Sequence, residues 1–299
     1  MTTVLDGGLA TELEARGHDL SDRLWSARLL LTEPDAIEEV HLAYFRAGAQ
    51  VATTASYQAS VEGFAGAGMD RDTALLAIRR SVELAARARE RFRAEEAAAG
   101  RDPGELLVAG SVGPYGAMLA DGSEYRGDYD PGDAALEAFH RPRIEALVAA
   151  GADLLAVETI PTLREARVLV GLLDEVEAPG WISYSCRDGE TTSAGEPFRE
   201  AVAVTAAARN VVAIGINCTA PHHVRSLLKI ARASTALPLV AYPNRGDTWD
   251  PNSRSWRGDR AGSWDPAVVA SWTVLGAAWL GGCCGTRPSD IERLAAALA

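Results

Sequence analysis

Cysteine is scarce in this chain: four residues among 299. So few over such a length exclude a disulfide framework, and cysteines outside such frameworks are more often metal ligands or catalytic groups. Long apolar runs are also missing. None reaches the roughly 18 residues that a membrane-spanning helix needs. The opening Met1-Thr2-Thr3-Val4-Leu5-Asp6 has no basic region ahead of an apolar core, so no signal peptide is expected and a cytoplasmic location is the default. Positive charge is in deficit, with 29 Lys and Arg against 41 Asp and Glu and a net charge of -12. That balance argues against nucleic acid or an anionic membrane surface as a partner. The arginines at 79, 80, 87, 89, 91 and 93 are interleaved with Glu83, Glu90, Glu95 and Glu96, which reads as a solvated helix face. Five histidines, His18, His41, His140, His222 and His223, form no ligand-spaced pair at the end of an apolar run. No linker, low-complexity stretch or shift of composition divides the chain, so residues 1–299 are expected to form one domain.

What is present is a hydrophobic content of 47%, ample for a buried core, arranged in a repeating pattern. Short apolar runs at 4–5, 50–54, 106–111, 152–158, 181–185, 211–217, 237–242 and 275–280 read as strands. Helical segments separate them, at about 34–47, 70–98, 133–150, 163–173, 198–208, 221–233, 265–272 and 288–298. Several open on a proline, which suits a helix's first turn. Run 152–158 is nearly all apolar before its terminal acid, as a strand buried on both faces should be. Eight strands alternating with helices predict a parallel sheet closed into a single (β/α)8 TIM barrel.

In such a barrel the active site lies at the carboxyl ends of the strands. Asp6 ends the first run and is followed by Gly7-Gly8, which permit a sharp turn and close approach of a ligand. Thr53 and Thr54 end the second, Ser111 and Gly113 the third, Glu158 the fourth. Asn217-Cys218 ends the sixth, and Gly281-Gly282-Cys283-Cys284-Gly285-Thr286 follows the eighth. Cys218, Cys283 and Cys284 therefore reach the same rim. Three thiolates suit a zinc ion whose fourth position is left for water or substrate, and soft sulfur selects zinc over magnesium or calcium. The alternatives are a redox disulfide among them, or buried thiols acting as small hydrophobes. Cys186, without such company, is expected to be a small buried hydrophobe.

These motifs together resemble the homocysteine S-methyltransferase family, in particular its bacterial and plant branch that uses S-methylmethionine. The resemblance rests on Asp6-Gly7-Gly8, Gly215-Ile216-Asn217-Cys218 and Gly281-Gly282-Cys283-Cys284-Gly285-Thr286. It extends to Thr54-Ala55-Ser56-Tyr57-Gln58-Ala59, to the run from Ala109 to Ala117 and to the run from Leu119 to Gly127, and so covers nearly the whole chain. It implies one Zn2+ held by Cys218, Cys283 and Cys284. Asp6 and Glu158 then hold the ammonium of the amino-acid acceptor, Thr53 lies at the same acceptor site, and Asn217 stands beside a zinc ligand.

The implied reaction is methyl transfer from S-methylmethionine, or also S-adenosylmethionine, to the thiolate of homocysteine, giving methionine. Related readings keep the fold but change the donor to betaine, or the acceptor to selenohomocysteine or selenocysteine. A non-catalytic zinc or thiol sensor is the reading from another class. Aromatic faces stabilise a sulfonium cation, and Tyr57, Tyr115, Tyr125, Trp249 and Trp256 are the candidates. The partners expected are small molecules, with monomer and homodimer both open.

Overall fold

A computed structural model describes residues 2–21, 24–246, 248–250, 255–257 and 264–299, with backbone only at 248–250 and 255–257. The strands are β1 (Thr3–Val4), β2 (Val51–Thr53), β3 (Leu107–Val112), β4 (Leu154–Ile160), β5 (Gly180–Tyr184), β6 (Val211–Asn217), β7 (Leu239–Tyr242), β8 (Thr248–Asp250), β9 (Ser255–Arg257) and β10 (Ala277–Leu280). Eight of them form one parallel sheet in the order β1-β10-β7-β6-β5-β4-β3-β2. The two ends of that order meet. Leu5 bridges Val51 in parallel, and the Gln50 amide donates to the Val4 carbonyl at 2.7 Å. The sheet is therefore a closed (β/α)8 barrel, as the alternating pattern predicts.

Local sequence explains where its helices begin. Asp70 caps the Arg71–Ala98 helix by accepting from the Thr73 amide at 2.8 Å. Thr162 caps Leu163–Val176, and Asp265 caps Pro266–Ser271. Each side-chain oxygen satisfies an amide that the first turn leaves free. Pro34, Pro221, Pro266 and Pro288 occupy first turns, where their missing N–H costs nothing. Among the described residues no helix is long and apolar enough to cross a membrane.

Two apolar cores follow from the two faces of the sheet. The larger lies between strands and helices. The smaller fills the barrel with Leu5, Val51, Ala109, Leu154, Ala156, Trp181, Ala213, Val240 and Tyr242. Trp181 is the centre of this plug, edge-on to Trp279 at 5.4 Å and to Tyr242 at 6.2 Å. Gly215 admits the neighbouring strand here, because a Cβ would fall 1.7 Å from the Val240 carbonyl oxygen. The plug closes the barrel from below and leaves the carboxyl ends of the strands as the floor of a cleft.

Several strand bounds differ from the sequence expectation by one or two residues, as at β4, which runs to Ile160 and not only to Glu158. The last barrel strand starts at Ala277, not 275, because Trp272–Leu275 is a 3-10 turn that ends on left-handed Gly276. The polar segment after β7 contains an unexpected antiparallel pair, β8 with β9, with Trp249 opposite Trp256.

Candidate active site

The cysteines meet because the backbone bends at each of them. In a regular strand Asn217 and Cys218 would point to opposite faces. Cys218 instead adopts φ 45°, a left-handed conformation uncommon outside glycine. Its amide donates to the Tyr242 carbonyl at 3.3 Å, and the Asn244 side chain donates to its carbonyl at 3.3 Å. On the other side, Gly282 donates to the Asp6 carbonyl at 3.1 Å and Cys283 to the Pro243 carbonyl at 2.8 Å. The Thr286 hydroxyl then closes the turn on the Cys283 carbonyl at 2.6 Å. Glycine is required at 282, since a Cβ there would stand 2.3 Å from that hydroxyl oxygen.

The result is three sulfurs within 4.8 Å of one another. Cys218 Sγ lies 2.8 Å from Cys283 Sγ and 3.6 Å from Cys284 Sγ, and the last pair is 4.0 Å apart. All three are free thiols. A tetrahedral ion with Zn–S bonds of about 2.3 Å sets its sulfurs about 3.8 Å apart, so two edges of the triangle fit as they stand. The third is shorter than that, yet well beyond the roughly 2.05 Å of a disulfide. The electrostatics agree with a shared anion. Hydrogen bonds from Cys283 and Cys284 hold the Cys218 thiol well below the usual range, and donating those bonds to Cys218, with the charge it then carries, pushes the other two up. The donor set is soft, anionic and three-fold, which fits a metal ion such as zinc with a position to spare.

The same rim holds two buried acids. Asp6 is 4% exposed and Glu158 7%. Both Asp6 oxygens accept from Thr53, from its amide at 2.7 Å and from its hydroxyl at 3.0 Å. Glu158 accepts from the Ser111 hydroxyl at 2.5 Å. Burial raises Asp6 well above its ordinary value, and burial followed by the charge of Cys283 raises Glu158 to about 7. Carboxylates held this way are short of positive charge, and a cationic ligand would relieve both.

These groups line one cleft with Thr53, Thr159, Tyr57, Tyr125, Trp25 and the three cysteines. Asn217 is not on its wall. The Asn217 amide is fully buried, accepting from the Thr159 amide at 2.7 Å and the Ser183 hydroxyl at 2.9 Å, and donating to the Thr159 hydroxyl at 2.7 Å. It thereby holds Thr159, another left-handed residue at φ 62°, against the cleft. Thr159 and Trp25 line the cleft and were missed by the sequence reading. Only the position of Thr159 directly after a strand-end acid could have signalled it.

The aromatic candidates divide. Tyr57 and Tyr125 line the cleft, and the Tyr125 hydroxyl lies 3.9 Å from Cys218 Sγ. Tyr115 turns away to pack on Phe139 and Tyr129. The side chains of Trp249 and Trp256 lie outside the described residues. Cys186 is buried in the larger apolar core as expected, and the His222 and His223 rings meet at a tilt, 3.9 Å between centroids, and neither lines the cleft.

Known proteins are similar to this chain. A family model described as homocysteine S-methyltransferase matches residues 3–298. Homocysteine S-methyltransferase of Escherichia coli strain K12 is 51% identical over 296 residues, covering 98% of this chain and 94% of that protein. Homocysteine S-methyltransferase YbgG of Bacillus subtilis strain 168 is 46% identical over 294 residues, covering 98% and 93%. The crystal structure of the homocysteine methyltransferase MmuM from Escherichia coli in its metallated form superposes with a TM-score of 0.89 at 49% identity, covering 99% of this chain and 96% of that one. With a matched model along nearly its full length and relatives at this identity, the chain belongs to the homocysteine S-methyltransferase family.

Proposed function

We propose that this chain, acting as one domain over 1–299, transfers a methyl group from S-methylmethionine to homocysteine and forms methionine, with zinc as its resident metal. The observation that carries this reading is the convergence of three thiols and two uncompensated buried acids on one cleft. A thiol ligand and an ammonium are what such a pair of sites accepts, and homocysteine carries both. Cys218, Cys283 and Cys284 would hold the zinc. When bound, it supplies Lewis acidity that favours the ionised form of a thiol, which when free has a pKa near 8.5 and is only roughly 3% ionised at pH 7.

The chain's own residues bind and orient. Asp6, fixed by Thr53, and Glu158, fixed by Ser111, receive the acceptor's ammonium. Asn217 acts indirectly by holding Thr159. The faces of Tyr57 and Tyr125 suit the donor's sulfonium charge. In the transfer, the acceptor sulfur forms a bond to the methyl carbon as that carbon's bond to the donor sulfur breaks. The bonding pair leaves on the donor sulfur, which becomes a neutral thioether and takes no proton. No general base or acid is then needed, so alignment in a water-poor cleft carries the rate. A cytoplasmic setting, which keeps thiols reduced, suits the three free cysteines.

The test is to incubate the purified chain with homocysteine and S-methylmethionine and count methionine. Two methionines per homocysteine consumed support the reading, while none from S-methylmethionine, S-adenosylmethionine or betaine overturns it. Product from another donor alone would move the assignment to that donor.

A further inference from the structure

One buried acid is not used by the reaction above. Glu165 lies on the Leu163–Val176 helix that follows β4 and is 0% exposed. Its Oε1 accepts from the Tyr115 amide at 2.6 Å and from His140 Nε2 at 2.7 Å, and its Oε2 accepts from the Tyr129 hydroxyl at 2.5 Å. His140 is itself fully buried, and burial lowers its pKa. We assign it as the neutral ring donating Nε2–H, since an ionised carboxylate can only accept. Tyr115 and Tyr129 are the two ends of one connecting segment, so a single carboxylate fastens both. Further contacts agree with a tight fit. Gly116 lets the Tyr129 ring approach, where a Cβ would stand 2.5 Å away. The buried Arg143 guanidinium holds the Gly113 carbonyl at 2.5 Å just before the segment.

What this segment carries explains why it is held. Tyr125 lines the cleft with its hydroxyl 3.9 Å from Cys218 Sγ. Beside it Glu124 is 8% exposed, and its Oε2 has no hydrogen-bond partner among the described residues. The Glu124 carbonyl is tied to the Ser185 hydroxyl at 3.2 Å. An aromatic face and an uncompensated carboxylate on the same turn suit a cation. The acceptor's ammonium already has Asp6 and Glu158, which leaves this turn for the donor.

We propose that Glu165 is a positioning residue for the methyl-donor side of the cleft, setting where Glu124 and Tyr125 stand by clamping both ends of residues 115–129. The inference rests on the functional reading given above. Glu165 touches neither substrate, so its effect falls on how well the donor is held. The acceptor side, built on strand ends, is left as it was.

The experiment compares the wild-type holoenzyme with Tyr129→Phe, Glu165→Gln and Glu165→Ala. Three quantities are measured: KM for S-methylmethionine and for homocysteine, zinc per chain, and hydrogen exchange of peptides spanning 115–129. Tyr129→Phe removes one donor and should raise the donor KM about threefold, and Glu165→Ala about tenfold. Glu165→Gln, which keeps an acceptor oxygen, should fall between wild type and Glu165→Ala. In each variant 115–129 should exchange several-fold faster, while barrel-strand peptides, the homocysteine KM and the zinc content hold. An unchanged donor KM with unchanged exchange in Tyr129→Phe and Glu165→Gln overturns the inference. So does a parallel rise of both KM values with loss of zinc, which is the pattern of general destabilisation. If the wild type makes no methionine, the functional reading fails, and the clamp is judged on the exchange of 115–129 alone.

Discussion

The carboxyl ends of β5 and β6 lie side by side and each is followed by a cysteine. Cys186 and Cys218 are equally buried, at 7% exposure, yet they differ in every chemical respect. The Cys186 amide donates to the Thr219 hydroxyl oxygen at 3.0 Å, its thiol packs in the apolar core, and burial pushes its pKa up. Cys218 turns left-handed, meets two further thiols and has its pKa pushed down. Placement at the rim is therefore not what makes a thiol functional. The backbone bend that aims the sulfur at its partners is. The acids divide the same way: Glu165 is satisfied by three donors, whereas among the described residues neither Glu158 nor Asp6 forms an ion pair, and burial raises both.

The sharpest attack on this contrast is Cys218→Ser. Loss of groups that merely orient a metal ligand costs about 10- to 100-fold, so loss of the ligand should cut kcat/KM by more than about a hundredfold. Methionine formation within tenfold of wild type would erase the distinction from Cys186.

Glu158 gives the next largest effect, in stability. Its folded pKa, about 7, lies above the ordinary value of 4.5, so the folded state holds the proton longer than the unfolded state. The stability this contributes is complete below about 4.5 and is lost as pH rises through about 7. In metal-free, reduced protein, the stability of wild type relative to Glu158→Gln should therefore fall by up to about 3 kcal/mol between pH 4.5 and 7.5. Denaturant titrations at both pH values check it, and a flat difference would count against an uncompensated acid.

Asp6→Asn keeps the size and hydrogen-bonding reach of the side chain but removes its charge. About a tenfold rise in homocysteine KM is expected, with the donor KM unchanged, because a charge-assisted hydrogen bond is worth about 1.5–3 kcal/mol. Steady-state kinetics with each substrate varied in turn measure this, and equal rises would move Asp6 out of the acceptor site. Cys186→Ala should do least. It trims one atom from a packed core, costs about 1 kcal/mol in thermal or urea unfolding, and leaves activity within twofold.

Much of this was legible in the sequence because barrel strands have a strong signature. Apolar runs such as 154–157, followed directly by Glu158 and Thr159, give both the strand and its functional end. Asp6, Glu158 and the cysteines could be located by that rule alone, since their chemistry is unusual at a strand terminus. What the sequence did not show is orientation. Asn217 directly precedes Cys218, yet its side chain points into the protein, because alternation along β6 sends it opposite to the bent Cys218. Tyr115 and Tyr125 look equivalent as loop aromatics, and only packing against Phe139 and Tyr129 removes the first from the cleft. Thr159 depends on a left-handed backbone that no composition signal marks. The Glu165 clamp joins residues from three separate segments, and no short motif encodes such a meeting.

The most direct test of the central claim is the zinc content of the four single Cys→Ser variants, purified in parallel without chelator. Wild type and Cys186→Ser should each hold about one zinc per chain, and Cys218→Ser, Cys283→Ser and Cys284→Ser should lose it. Full zinc retention in any of those three, or loss in Cys186→Ser alone, would contradict a metal centre built from Cys218, Cys283 and Cys284.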